Sequence, residues 1–199
     1  MQRIEIVRGH GALQYGPQIG GMINYILKNG SEFSKPFQFE TFQTIGSNRL
    51  FNSYNAVGGK TKKVNYYAFF DHRNGDGWRE NNQFSSNTGS GTITYKVSER
   101  FSITSEVSRW ETLSQQPGGL TDDQFAQNPQ QSLRSRNWFN LVWLTSAVTA
   151  DYKIRDDQRL NVKLFGINAT RNSVGFNPSG GILVPDAVSP STGEYNPRV

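Results

Sequence analysis

The chain has 199 residues, a formal net charge of +5, no cysteine and two histidines. The lack of cysteine excludes disulfides, thiolate metal sites and a cysteine nucleophile within this sequence, and His10 and His72 show no metal-ligand spacing. Lysines and arginines are scattered, without the clustered stripe of a nucleic-acid-binding surface, so we expect no nucleic-acid partner.

Hydropathy and composition favour strands over helices. The mean hydropathy is −0.62, and no apolar run approaches the roughly 20 residues of a membrane-spanning helix. A membrane β-barrel is not excluded, because its strands need only about 9–11 residues with alternate ones apolar. Aromatic residues make up 13% of the chain, and the polar residues include many Asn, Ser and Thr, which predicts an all-β protein with polar faces.

The first thirty residues form a glycine-dense segment. We expect short strands there, one of them at Arg3–Val7, joined by tight turns, because glycine permits the positive φ angles that such turns need. No signal peptide precedes Arg3, so we expect further sequence upstream of Met1. A Ser- and Pro-containing connector follows at residues 31–36.

From Phe37 onward, apolar and polar residues alternate with the period of two that is typical of strands. Val64, Tyr66 and Ala68, for example, oppose Asn65 on the other face. The alternation predicts seven mainly antiparallel strands, at about 37–45, 49–58, 63–72, 84–97, 100–112, 138–154 and 158–171.

The connections between these strands alternate in length. Arg73–Gln83 and Leu113–Asn137 are long, whereas Gly59–Lys62 and Arg155–Asp157 are short; only the first connection, near Gly46–Asn48, is short where a long one is expected. Antiparallel neighbours place alternate connections at opposite ends, so long loops should share one end and short turns the other, as in outer-membrane barrels. Seven strands cannot close in a bilayer, so we expect most of the barrel to lie beyond Val199.

Three motifs in the first thirty residues carry a family resemblance. An alternating strand ends in Arg-Gly at Arg3–Gly9, Tyr15-Gly16 follows, and Gly20–Ile26 has the pattern Gly-Gly-x-Ile-Asn-x-Ile. The segment resembles the end of the plug domain of TonB-dependent receptors, although His10 stands where many members carry proline. The resemblance assigns 1–30 to the plug, 31–36 to a connector and 37–199 to the barrel.

Later motifs are most similar to the ferric dicitrate receptors: Tyr15–Gln18, Gly75–Glu80, Pro117–Leu120 and Gln131–Arg134. The resemblance implies a receptor in the outer membrane of a Gram-negative bacterium, with a monomeric 22-stranded barrel around the plug. It also implies TonB-powered uptake of a ferric citrate-like chelate, contact with membrane lipid and no bound cofactor. The region that contacts TonB is expected to lie outside this chain.

The plug-like motifs supply candidate structural residues. Arg8 could pair with a carboxylate of the barrel wall, because a buried charge pair can specify an arrangement; the alternative is a solvated turn charge. The full set expected to shape the plug end is Arg8, Gly9, Tyr15, Gly16, Gly20, Gly21 and Asn24.

Three residues are candidates for ligand contact. The Gln18 amide can donate to a citrate oxygen, or it can bond the backbone of its own turn. The guanidinium groups of Arg134 and Arg136 match carboxylate oxygens, or they are solvated loop charges.

Four aromatic residues near strand ends, Trp110, Trp138, Phe139 and Trp143, are expected in an interfacial girdle, with ligand stacking as the alternative. The residues Gly75–Gly77 indicate a tight turn and not a calcium loop. No catalytic constellation is present, so we expect a transporter and not an enzyme. Uptake of a glycan or peptide by the same architecture, or a soluble β-sheet binding or adhesion module, remain the alternatives.

Overall fold

The structure is a computed structural model that describes residues 2–8 and 20–175. Within these ranges the chain is all-β with antiparallel pairing, as predicted, apart from one short helix. A pair of short strands precedes a sheet of seven strands. The strands are β1 (Arg3–Val7), β2 (Met22–Ile26), β3 (Gln38–Ile45), β4 (Phe51–Lys60), β5 (Val64–Gly75), β6 (Phe84–Lys96), β7 (Phe101–Gln115), β8 (Trp138–Arg155) and β9 (Gln158–Val174).

The N-terminal strand pair, β1 and β2, is antiparallel and pairs Arg3 with Ile26. Polar side chains cross-link it: Arg3 lies 2.8 Å from Glu5, and the amide of Asn24 donates to Glu5 Oε2 at 3.1 Å. The hydrogen bond from Arg3 makes the largest contribution and that from Asn24 the next, and together they hold the pKa of Glu5 below its usual range. Asn24 therefore ties β2 to β1. Gly9, Tyr15, Gly16 and Gln18 lie outside the described residues.

In the large sheet every strand pairs with its neighbours in the sequence, from β3 to β9. The seven predicted segments all form strands, but several extend further than the alternation indicated. β5 continues to Gly75 and β7 to Gln115, because Gly75 pairs with Phe84 and Gln115 with Trp138. Ladder hydrogen bonds thus keep polar, loop-like residues in the strands.

The predicted distribution of loops and turns is confirmed. At one end, which we call the loop end, the amide of Gln115 donates to Gln83 O at 2.8 Å. At the opposite end, the turn end, the amide of Lys153 donates to Arg100 O at 2.8 Å. The short first connection lies at the loop end, where Asp76 N donates to Asn48 O at 2.8 Å.

The short turns are staggered along the sheet. The ladder between β4 and β5 ends at Asn65, whose row continues through Thr94 and Thr104 to Thr149. The ladder between β8 and β9 continues to Arg155, six residues beyond Thr149. The turn end therefore steps progressively along the strands from β4 to β9.

The two faces of the sheet differ in chemistry. One face, the polar face, carries rows such as Thr94, Thr104, Thr149 and Lys163. The other, the apolar face, is hydrophobic in its turn-end half and mixed towards the loop end, where Arg109 pairs with Glu111 beside Val142 and Leu144. Exposed residues of the apolar half include Phe39, Ile93, Tyr95, Ile103, Val107, Val148, Tyr152, Leu160, Val162 and Leu164.

The sheet has almost no core of its own. Only Ala56 and Tyr67 are buried hydrophobic residues in the described part of the chain. A continuous exposed apolar band of this extent requires an apolar neighbour. No helix among the described residues is long and apolar enough to cross a membrane.

The long connection between β7 and β8 contains a helix, α1 (Asp122–Gln127), that the sequence analysis did not predict. Thr121 accepts a hydrogen bond from the amide of Gln124, and the Gln124 side chain accepts one from the amide of Thr121. This capping box stabilises a single turn where no apolar periodicity marks a helix.

Candidate functional site

The segment between β2 and β3, Leu27–Phe37, lies against the polar face of the sheet. Lys28 Nζ contacts both carboxylate oxygens of Glu40, at 2.6 and 2.8 Å. The hydroxyl of Tyr67 donates to Glu40 Oε2 at 2.9 Å and lies 2.7 Å from that of Tyr54. We call Lys28, Glu40, Tyr67 and Tyr54 the wall anchor, because they fix the connecting segment to the sheet.

Two glycines bring the connecting segment into backbone contact with the sheet. Gly30 has a φ of +86°, and a Cβ there would overlap the backbone of Tyr66. A Cβ at Gly59 would overlap the carbonyl of Pro36. The amide of Asn65 completes the attachment by donating to Asn29 O at 2.8 Å.

The expected pairing of Arg8 with the sheet is not seen in the described residues. Arg8 is exposed just after β1 and forms no ion pair there, whereas Lys28 pairs with a sheet carboxylate. Near it, Gly21 has a φ of +90°, which favours glycine, and Gly20 lies in open space. The contact of Lys28 with Glu40 was not predicted from the sequence, because no local pattern marks it.

At the loop end, the β5–β6 and β7–β8 connections pack together as one unit, the loop cluster. The guanidinium of Arg79 donates to Gly118 O and to Gln131 O, each at 2.7 Å. The amide of Glu80 donates to Gln130 O at 2.9 Å. The planar guanidinium group of Arg79 bonds two carbonyls of the other loop and so holds the two loops in a fixed arrangement.

Arg134 is a buried member of the loop cluster. It is 4% exposed, its Nη1 donates to Leu133 O at 3.0 Å, and its carbonyl accepts a hydrogen bond from the amide of Asn81. The alternative of a solvated loop charge is therefore wrong for Arg134. Arg136, two residues nearer to β8 than Arg134, is partly exposed.

The side chain of Arg134 also accounts for the glycine at position 118, which lies beside it in space. Gly118 has a φ of +74°, and a Cβ there would lie 2.8 Å from Arg134 Cγ. Gly119 has no atom within 4 Å of its Cβ position. The first glycine is required by the packing of the loop cluster and the second is not.

These neighbouring glycines form a matched pair for a test. We expect Gly118→Ala to destabilise the loop cluster by about 1–2 kcal/mol from its left-handed backbone alone, whereas Gly119→Ala should be nearly neutral. Hydrogen exchange of the Glu80 amide would measure the difference. Equal exchange rates in the two variants would contradict this packing.

Three of the four aromatic residues expected in an interfacial girdle lie on the polar face of the sheet. Trp110 pairs with Trp143 in a row of the polar face, and Phe139 lies on that face beneath the guanidinium of Arg171, 4.8 Å from the ring centre. Trp138 lies on the other face. Near the loop end both faces mix polar and apolar residues, so alternation did not reveal which face these rings share.

The described residues contain no group of three or more His, Asp or Glu that could hold a metal ion. Asp76 pairs instead with Arg49 at 2.7 Å, and Gly77 has a φ of +72°. Gly75 is the last residue of β5, and Asp76 and Gly77 begin the loop that follows it, so Gly75–Gly77 is not the tight turn that the sequence indicated.

The described residues thus form a seven-stranded antiparallel sheet with one polar and one largely apolar face, preceded by a small strand pair. No family model and no curated protein matches the chain. Among solved structures, the ferric citrate transporter FecA in its unliganded form is similar, with a TM-score of 0.72 and 20% sequence identity. The match covers 89% of this chain and 27% of that one. The chain thus has the fold of a segment of that transporter, about a quarter of its length, which agrees with the fold predicted from the sequence motifs.

Proposed function

We propose that this chain is part of an outer-membrane receptor that takes up an anionic iron chelate of the ferric citrate type. The observation that carries the proposal is the similarity of fold to the ferric citrate transporter FecA over 89% of the chain. The Gly75–Glu80 and Pro117–Arg134 motifs, which fall in the loop cluster, support the same ligand class.

In this proposal residues 1–30 end the plug, 31–36 connect it and 37–199 begin the barrel. The apolar half of the sheet faces lipid, the polar face lines the lumen, and the loop end faces outward. The wall anchor supports this arrangement, because the segment that follows the plug attaches to the polar face. TonB powers transport through a region outside this chain.

Ligand titration tests the proposed function. The complete receptor should bind ferric dicitrate, and Arg136→Ala should weaken binding about tenfold or more through loss of a charge-assisted hydrogen bond. Arg155→Ala, which removes a cation at the turn end, is the matched control and should leave affinity unchanged. Arg134 is less informative, because its removal would also disrupt the loop cluster.

The possible results of this titration test the ligand class and the role of Arg136 separately. Unchanged affinity in Arg136→Ala would remove Arg136 from the site without affecting the ligand class. If the wild-type receptor binds a glycan or peptide and no ferric chelate, the proposed ligand is wrong.

A further inference from the structure

Basic side chains line a cavity at the turn end of the sheet, opposite the loop cluster. The cavity has a volume of about 880 Å³, within the range of small-ligand sites. Two short turns and the strand ends beside a third contribute to it, so its residues are brought together only by the sheet. Its cations are Lys62, Lys63, Lys96, Arg100, Lys153 and Arg159, and its carboxylates are Glu99 and Asp151.

The strand register places the main cations on the polar face. Lys96 shares a row with Ser102, Asp151 and Asn161, two residues from the row that contains Thr94 and Lys163. Lys153 and Arg159 are direct partners on the same face. These cations therefore point away from the apolar band and from any lipid that covers it.

Most of these cations form no ion pair within the described part of the chain. Lys153 pairs with Asp156 at 2.7 Å, and Asp151 accepts a hydrogen bond from Asn161 at 2.6 Å. No ion pair is formed among the described residues by Lys63, Lys96 or Arg159. A concave surface with several uncompensated cations concentrates anions, most strongly those with more than one charge.

We propose that this cavity, the basic rim, is a second anion site that binds a small soluble polyanion bearing carboxylate or phosphate groups. Cations from separate turns can contact different groups of one polyanion, whereas a monovalent anion would engage few of them. If the proposed uptake function is right, on which this step rests, the rim holds the anionic chelate at the inner end of its path.

Pyrophosphate is a suitable probe, because its binding does not depend on the identity of the transported ligand. Isothermal titration calorimetry at low salt should show that pyrophosphate binds the complete wild-type receptor. Its affinity should fall as the salt concentration rises. Lys96→Gln/Arg159→Gln should weaken this binding about tenfold or more. The control, Lys35→Gln/Arg155→Gln, removes the same charge outside the cavity and should bind as the wild type does.

The four substituted side chains are exposed, so both double variants should fold, and Lys63→Gln/Lys96→Gln provides a second test of the rim. Absence of pyrophosphate binding in the wild type, or equal loss in the control, would overturn the proposal. Preferential binding to phosphatidylglycerol vesicles, lost with the rim cations, would also overturn it. Ferric dicitrate binding at the loop-end site, which Arg136→Ala weakens, should be unchanged in the rim variants; if the wild type does not bind ferric dicitrate, the uptake function fails while the pyrophosphate result stands.

Discussion

Replacement of Gly30 with valine should detach the connecting segment from the sheet. The left-handed backbone conformation at Gly30 is unfavourable by about 1–2 kcal/mol for any residue with a Cβ. It is more unfavourable still for a β-branched residue such as valine. The side chain would also overlap the backbone of Tyr66, which cannot rotate away as a side chain could. We expect the contacts of Asn29 and Lys28 with the sheet to be lost together.

Trypsin can report this detachment. In the wild type the Lys28 side chain is held by Glu40, so cleavage after it should be slow, and the bond after Lys35 resists trypsin because Pro36 follows. Gly30→Val in the complete receptor should accelerate cleavage after Lys28 about tenfold or more, as expected for a local destabilisation above 1.4 kcal/mol. Gly20→Ala, with open space around its Cβ, is the control. Equal protection of Lys28 in Gly30→Val and the wild type would contradict the observed backbone contact.

The second large effect is expected at Arg79. Arg79→Ala leaves the carbonyls of Gly118 and Gln131 without their charged donor, and each such bond contributes about 1.5–3 kcal/mol. The two loops should separate, and the Glu80 amide, which bonds Gln130, should exchange at least about tenfold faster. Mass spectrometry of hydrogen exchange in the complete receptor would measure this change.

Two further variants make the Arg79 test specific. Arg79→Lys should rescue little, because one ammonium does not reproduce a fork that bonds two carbonyls. Arg109→Ala removes an exposed ion pair with Glu111 on β7 and should lower the stability of the loop cluster by less than about 1 kcal/mol. Full protection of the Glu80 amide in Arg79→Ala would show that other contacts hold the loops.

Alternation along the chain predicted the strands well, because the period of two fixes which residues share a face. The loop lengths then predicted which connections meet, and Gln83 and Gln115 are indeed hydrogen-bonded. The helix α1 was missed because its only signal is the spacing of Thr121 and Gln124. A single helical turn has no hydrophobic period to detect.

The candidate site was harder to predict for a physical reason. Burial of Arg134 depends on how two loops pack, and the pairing of Lys28 with Glu40 depends on where a connector meets a sheet. Both are contacts between segments, and neither leaves a periodic pattern. The face of Trp110 and Trp143 was also hard to predict, because the rows around them mix polar and apolar residues on both faces.

The stagger of the short turns has a geometric consequence for the inclination of the strands. From the row of Asn65 to the end of the ladder at Arg155 the turns advance by six residues along the strands, or about 20 Å. They do so across four strand spacings, which together measure about 19 Å. If all the turns lie at one depth, the strands must incline by about 45° to the barrel axis, which is the tilt of transmembrane barrels. The sheet thus carries, in its hydrogen-bond register alone, the shear that a closed barrel of this class requires.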